Sequence, residues 1–208
     1  MTRHLLLAGV IAGPSYLIVG FGQAFLRDGF DVRRHALSQL SQGDYGWIQV
    51  VNFLITAVLV MAGAVGVRRA LRGQRGGAWG PLLLLVYGLG LFGAGVFPAD
   101  PGNGFPPGSE TQAMTMSTAG LLHFVCGGLG FYALVGVCFV FARRFMATGE
   151  RSVAVYSMLS GVLFFGSFAA IASGPPSPAV MLMFYGAVTW IWIWHSTVLW
   201  RFRRTISA

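Results

Sequence analysis

Six long apolar runs constrain this chain more than anything else in it: Leu5–Leu26, Trp47–Val67, Trp79–Phe97, Ser117–Ala142, Val153–Ser173 and Ala179–Trp200. Each is close to the roughly 20 residues that an α-helix needs to cross a bilayer. In lipid a segment must satisfy its own backbone hydrogen bonds, so each run is expected to be a helix. Charged residues make up 10% of the 208, against about 25% in soluble domains, and mean hydropathy is +0.69. The expected fold class is all-α. It is a polytopic protein of the plasma membrane, with residues 1–208 forming a single six-helix domain. Pro81 falls near the start of its run, where a helix tolerates proline. Pro14 interrupts the first run and is expected to kink it. Arg3 and His4 resemble the front of a signal peptide. The apolar stretch behind them is too long and lacks a small-residue cleavage site, so it is expected to stay as a helix.

Charge gives the expected orientation. The chain has no Lys, and its Arg sit in short tufts at the ends of the runs. Arg3, the four Arg of RRALRGQR (68–75), Arg143, Arg144, Arg151, Arg201, Arg203 and Arg204 fall on one side. Only Arg27, Arg33 and Arg34 fall on the other. The positive-inside rule then places both termini in the cytoplasm. The acids run the opposite way: Asp28, Asp31, Asp44, Asp100 and Glu110 outside, Glu150 inside. The net charge of +8 forms no continuous basic face with stacking aromatics, so nucleic acid is not an expected partner. Cys126 and Cys138 are twelve residues apart in one helix, about 18 Å, which is beyond disulfide reach.

Two outer segments are long, 27–46 and 98–116, and long loops are where function collects on a rigid scaffold. Read as a helix, 31–43 would be capped by Asp31 and ended by Gly43. Val32, Ala36, Leu37 and Leu40 would share one face, and Arg34, His35, Ser38, Gln39, Ser41 and Gln42 the other. Such a helix could simply anchor in the outer interface. It could equally cover the mouth of the bundle, with His35 facing whatever enters. His123 lies one or two turns into the fourth run and Asp100 just past the third. Gln23, Gln49 and Asn52 sit at the outer ends of the first and second runs. Ionisable groups at membrane depth are costly and default to function, so the convergence of His35, Asp100 and His123 is the expected site. His195 follows the belt WIWIW (190–194) and is expected to anchor at the inner interface.

Other chemistries are weaker. There is no H-x-x-x-H or H-E-x-x-H, so no metal and no cofactor is expected. Ser38 and Ser41 near His35 make no G-x-S-x-G. GLGLFG (88–93) matches a dinucleotide motif but lies inside an apolar helix, without the preceding strand. Gly9, Gly13 and the run 88–95 put small residues on helix faces. Such faces allow close helix approach and suggest a homodimer. Aromatic residues are 14% of the chain. Rings lining an apolar pocket stabilise cations, and a carboxyl held in an apolar site keeps its proton.

Pro14-Ser15-Tyr16, GFDVRRHALSQLSQGDYGWIQVVNF (29–53), GVFPADPGNGFPPG (95–108) and LLHFVCGGLGF (121–131) together resemble a bacterial, largely actinobacterial family of six-helix membrane proteins. That family is catalogued as a domain of unknown function and is distantly similar to the eukaryotic DRAM-like proteins. RRHALSQLSQGD (33–44) is the most specific part of the resemblance. It implies the six-helix fold and an outer special region, and no settled activity. Integral-membrane terpene cyclases share only small size, many helices and essential carboxylates, which is analogy.

The expected function is an intramembrane enzyme acting on a membrane lipid or prenylated small molecule, in its sharpest form acid-initiated cyclisation. Asp100 would be the acid, with His35 and His123 relaying or positioning protons. Arg33, Arg34, Asp31, Asp44, Trp47, Asn52 and Gln23 would bind the substrate around the outer mouth. A non-catalytic lipid-binding or scaffold protein is the alternative. A small transporter is a third, though it needs polar groups deeper in the helices.

Overall fold

The computed structural model describes residues 1–109, 115–174 and 176–206. Glu110, placed outside on sequence grounds, lies beyond the described residues. Six α-helices form: α1 (Thr2–Leu26), α2 (Gly46–Ala70), α3 (Trp79–Val96), α4 (Thr118–Ala147), α5 (Arg151–Ala172) and α6 (Pro178–Arg204). All six are long and apolar enough to cross a membrane, and no strand occurs among the described residues. Each helix packs on its neighbours in sequence and α6 returns to α1, so the bundle closes as a ring.

The helix ends follow from local chemistry. Ser117 Oγ accepts the Gly120 N–H at 2.9 Å at the start of α4. Ser177 accepts the Val180 N–H at 3.4 Å, with Pro178 opening α6. Both are hydroxyl caps on otherwise orphaned N–H groups. α4 and α6 continue past their apolar runs, so Arg143, Arg144, Arg201, Arg203 and Arg204 ride on helical final turns. There Arg144 donates to the Arg75 carbonyl at 2.8 Å and Arg201 pairs with Glu150. α1 runs unbroken through Pro14.

Small residues let the ring close. A Cβ on Gly63 would lie 2.9 Å from the Gly9 Cα, and one on Gly90 would lie 2.7 Å from the Gly130 Cα. These glycine faces are therefore occupied inside the protomer. Between α5 and α6, Trp190 and Trp194 donate their indole N–H to Ser160 and Ser157 at 2.9 and 3.0 Å. Such bonds replace the water that lipid cannot provide. Large apolar side chains such as Ile55, Leu129, Leu163 and Ile193 remain exposed on the outside of the ring, as a lipid-facing surface requires.

Two local expectations are corrected. Residues 31–43 are not one helix: Leu37–Ser41 is a 3-10 helix and the residues before it are turns. The loop backbone bonds elsewhere instead, as described below. His195 is not an interfacial anchor. It is 0% exposed, edge-on to Trp192, with neither ring nitrogen hydrogen-bonded.

Candidate functional site

The two long loops fold onto each other over the loop-rich end of the ring. Their organiser is Arg27, which donates to the Leu40 carbonyl at 3.2 Å and the Gln42 carbonyl at 2.6 Å. Its guanidinium lies 5.2 Å from the centre of the Phe105 ring, a cation–π contact. Gln39 donates to the Gly102 carbonyl at 3.2 Å, Gln42 donates to the Ala99 carbonyl, and Asn103 donates to the Arg34 carbonyl at 3.2 Å. Asn103 has φ 57, a left-handed conformation that Asn tolerates better than most residues.

His35 lies inside this cap, 2% exposed. The Asp31 N–H donates to its Nδ1 at 2.9 Å, and its Nε2 faces the Asn103 carbonyl at 3.0 Å. A donor on one side and an acceptor on the other put the ring proton on Nε2. Its ring packs between Phe30 and Phe105. The His35 side chain thus ties loop to loop. Only its carbonyl reaches toward the bundle, where it accepts the Tyr185 hydroxyl at 2.7 Å.

Beneath the cap, at the centre of the ring, is a cavity of about 220 Å³. Every helix contributes an aromatic wall residue: Tyr16, Phe53, Tyr87, Phe131, Phe164 and Trp192 stand one to each. Ala36, Leu37 and Ser38 form part of the wall from the cap side. Of the segment expected to cover the mouth with its polar face, these three residues border the cavity, and Arg34, His35 and Gln39 do not. Gly127 and Gly128 of α4 line the cavity and are also partly exposed. A Cβ at Gly127 would meet nothing within 4 Å. The cavity therefore reaches the outside of the ring along α4, beside Phe168 and Ile171 of α5.

His123 is on the wall. Its Nδ1 faces the carbonyls of Ala94 and Phe97 at 3.0 and 2.8 Å. Both are acceptors in the last turn of α3, so Nδ1 carries the proton and Nε2 keeps a lone pair. Asp100 is elsewhere. Its carboxylate accepts the Ser117 N–H at 2.9 Å and the Ser117 hydroxyl at 2.5 Å, holding the entry to α4. His35, Asp100 and His123 all lie at the loop-rich end, and of these three only His123 borders the cavity.

The remaining sequence-derived residues divide similarly. Asp31 accepts the Arg33 N–H at 2.9 Å and both of its guanidinium contacts at 3.1 Å. The Arg33 side chain and then its backbone N–H hold the Asp31 carboxyl down to about 2. Arg33, Arg34 and Asp44 are exposed, and Trp47 is 63% exposed at the start of α2. Gln23 and Asn52 instead join Gln49 in a buried amide cluster between α1 and α2. Gln49 Oε1 accepts from both, at 2.9 and 3.2 Å. None of these residues borders the cavity. Sequence reasoning raised an aromatic-lined pocket but named none of these wall residues. A usable signal was present on α4, where His123, Gly127 and Phe131 recur every four residues and so share one face.

Among the described residues, no three His, Cys, Asp or Glu converge on a metal-sized point. No curated protein and no solved structure matches the chain. Residues 10–201 match a family described as protein of unknown function, DUF998. The match runs from the third turn of α1 to the last turn of α6, and the chain belongs to that family.

Proposed function

We propose that this membrane protein binds a single apolar chain, acyl or isoprenoid, in the central cavity and admits it sideways from the bilayer along α4. The carrying observation is the cavity itself: an aromatic chamber built by all six helices that reaches the lipid-facing side at Gly127 and Gly128. At about 220 Å³ it exceeds the cavity of ~150 Å³ that suffices to take up benzene in a soluble protein. It therefore holds the leading part of a chain, with the rest lying in the bilayer.

Acid-initiated cyclisation is the less supported reading. Ring faces around the cavity suit a cationic intermediate, but the expected acid, Asp100, is spent on Ser117. Binding requires only the wall that is present.

Filling the cavity tests the proposal. Val188 lies on the wall with 8% exposure, and Val188→Trp adds a ring where the chain would lie. Lipid extracted from purified wild type should contain one apolar species near equimolar amount, reduced at least about tenfold in the variant. Circular dichroism would show the helices retained. A folded variant that keeps the same bound lipid would overturn the reading.

A further inference from the structure

We propose that the chain bound in the cavity ends in an uncharged hydroxyl that donates a hydrogen bond to His123 Nε2, so that the ligand is a long-chain alcohol rather than a phosphate-headed lipid. This inference rests on the chain-binding reading and names the head group which that reading leaves open.

Three observations carry it. First, the tautomer of His123 is set from outside the cavity. The Ala94 and Phe97 carbonyls both face Nδ1 and both need a proton there. Nε2 is left as an acceptor without a protein partner, on a residue that lines the cavity. An acceptor in an apolar chamber calls for a donor, and a hydroxyl is the simplest donor that an apolar chain carries.

Second, the wall holds no counter-charge. Among the described residues, no Asp, Glu or Arg borders the cavity. In the cap, Arg27 is committed to the Leu40 and Gln42 carbonyls and Arg33 to Asp31, and Arg34 is exposed. An ionised phosphate entering such a site would lose its hydration and meet no cation on the wall.

Third, His123, in the second turn of α4, abuts the last carbonyls of α3, so the positive end of one helix dipole meets the negative end of the other and the spot favours an uncharged head. Ser38 lies on the cap side of the same wall.

The test uses full-length protein in lipid nanodiscs with three probes sharing one chain: farnesol, the hydrocarbon farnesene, and farnesyl diphosphate. Equilibrium binding is measured for wild type, His123→Phe and His123→Gln. Wild type should prefer farnesol over farnesene by about tenfold, the scale of one buried neutral hydrogen bond. Farnesyl diphosphate should bind more weakly than farnesol. His123→Phe should erase the farnesol preference while keeping farnesene binding, and His123→Gln, which retains an acceptor, should keep part of it. Equal binding of farnesol and farnesene to wild type would overturn the head-group inference alone. So would an unchanged preference in His123→Phe, or tightest binding by the diphosphate. If none of the probes binds a folded wild-type protein, the chain-binding reading fails with it.

Discussion

Asp31 and Asp100 show how a carboxylate in a membrane protein can serve the fold. Asp31 is held by Arg33 through three hydrogen bonds, and its folded pKa of about 2 lies below the ordinary 3.8. A depressed folded pKa means that the ionised form favours the folded loop. The contribution is fully present above about 4 and is lost as pH falls toward about 2. The carbon-13 shift of the Asp31 carboxyl should therefore titrate near 2, and Arg33→Ala should move its midpoint up toward 3.8. A wild-type midpoint already near 3.8 would contradict the pairing. Asp100 offers a sharper contrast. Because it restrains Ser117 at the entry to α4, Asp100→Ala should lower stability by about 1 kcal/mol yet leave lipid co-purification unchanged. A catalytic or ligand-binding Asp100 would show the reverse pattern in the same thermal and extraction measurements.

Among the elements, the six helices were legible because lipid imposes both their length and their internal bonding. The apolar runs expected from Ser117 and Ala179 begin within a residue of the starts of α4 and α6. The 31–43 segment was not legible, since its apolar spacing suits a helix while it is tied to partners 63 and 69 residues away, the Gln39 side chain to the Gly102 carbonyl and the Arg34 carbonyl to Asn103. His35 and Asp100 were picked out for their chemistry. His35 is oriented by that loop-to-loop pairing and Asp100 by Ser117, and no local pattern encodes either. The aromatic wall was hidden for a different reason. In a helix that is apolar all round, periodicity does not separate the face toward lipid from the face toward a cavity. The glycines do separate them. Gly63→Val would push a side chain to 2.9 Å from the Gly9 Cα, and overpacking of that kind costs about 1–3 kcal/mol. Gly127→Ala, with nothing within 4 Å of its Cβ, should be close to neutral. Melting temperatures of the two variants in detergent would check this, and equal values would contradict the close packing of α1 on α2.

For the whole molecule, the closed ring has a consequence that no single helix carries. Six apolar rods joined edge to edge leave a centre to be filled, and at the loop-rich end bulky rings line that space without filling it. Toward the other end, Val60, Val198 and Phe202 are buried and close the core. The cap, stitched by Arg27 and His35, covers the cavity from the loop side, so the way left open is lateral. Photo-crosslinking tests this most directly, using an isoprenoid chain that carries a terminal diazirine, offered to the protein in nanodiscs and followed by peptide mapping. Adducts should concentrate on the cavity residues Phe131, Phe164 and Val188. Adducts confined to the outward-facing Leu129, Leu163 and Ile193 would mean that the chain only coats the ring, and would contradict a chain-binding cavity.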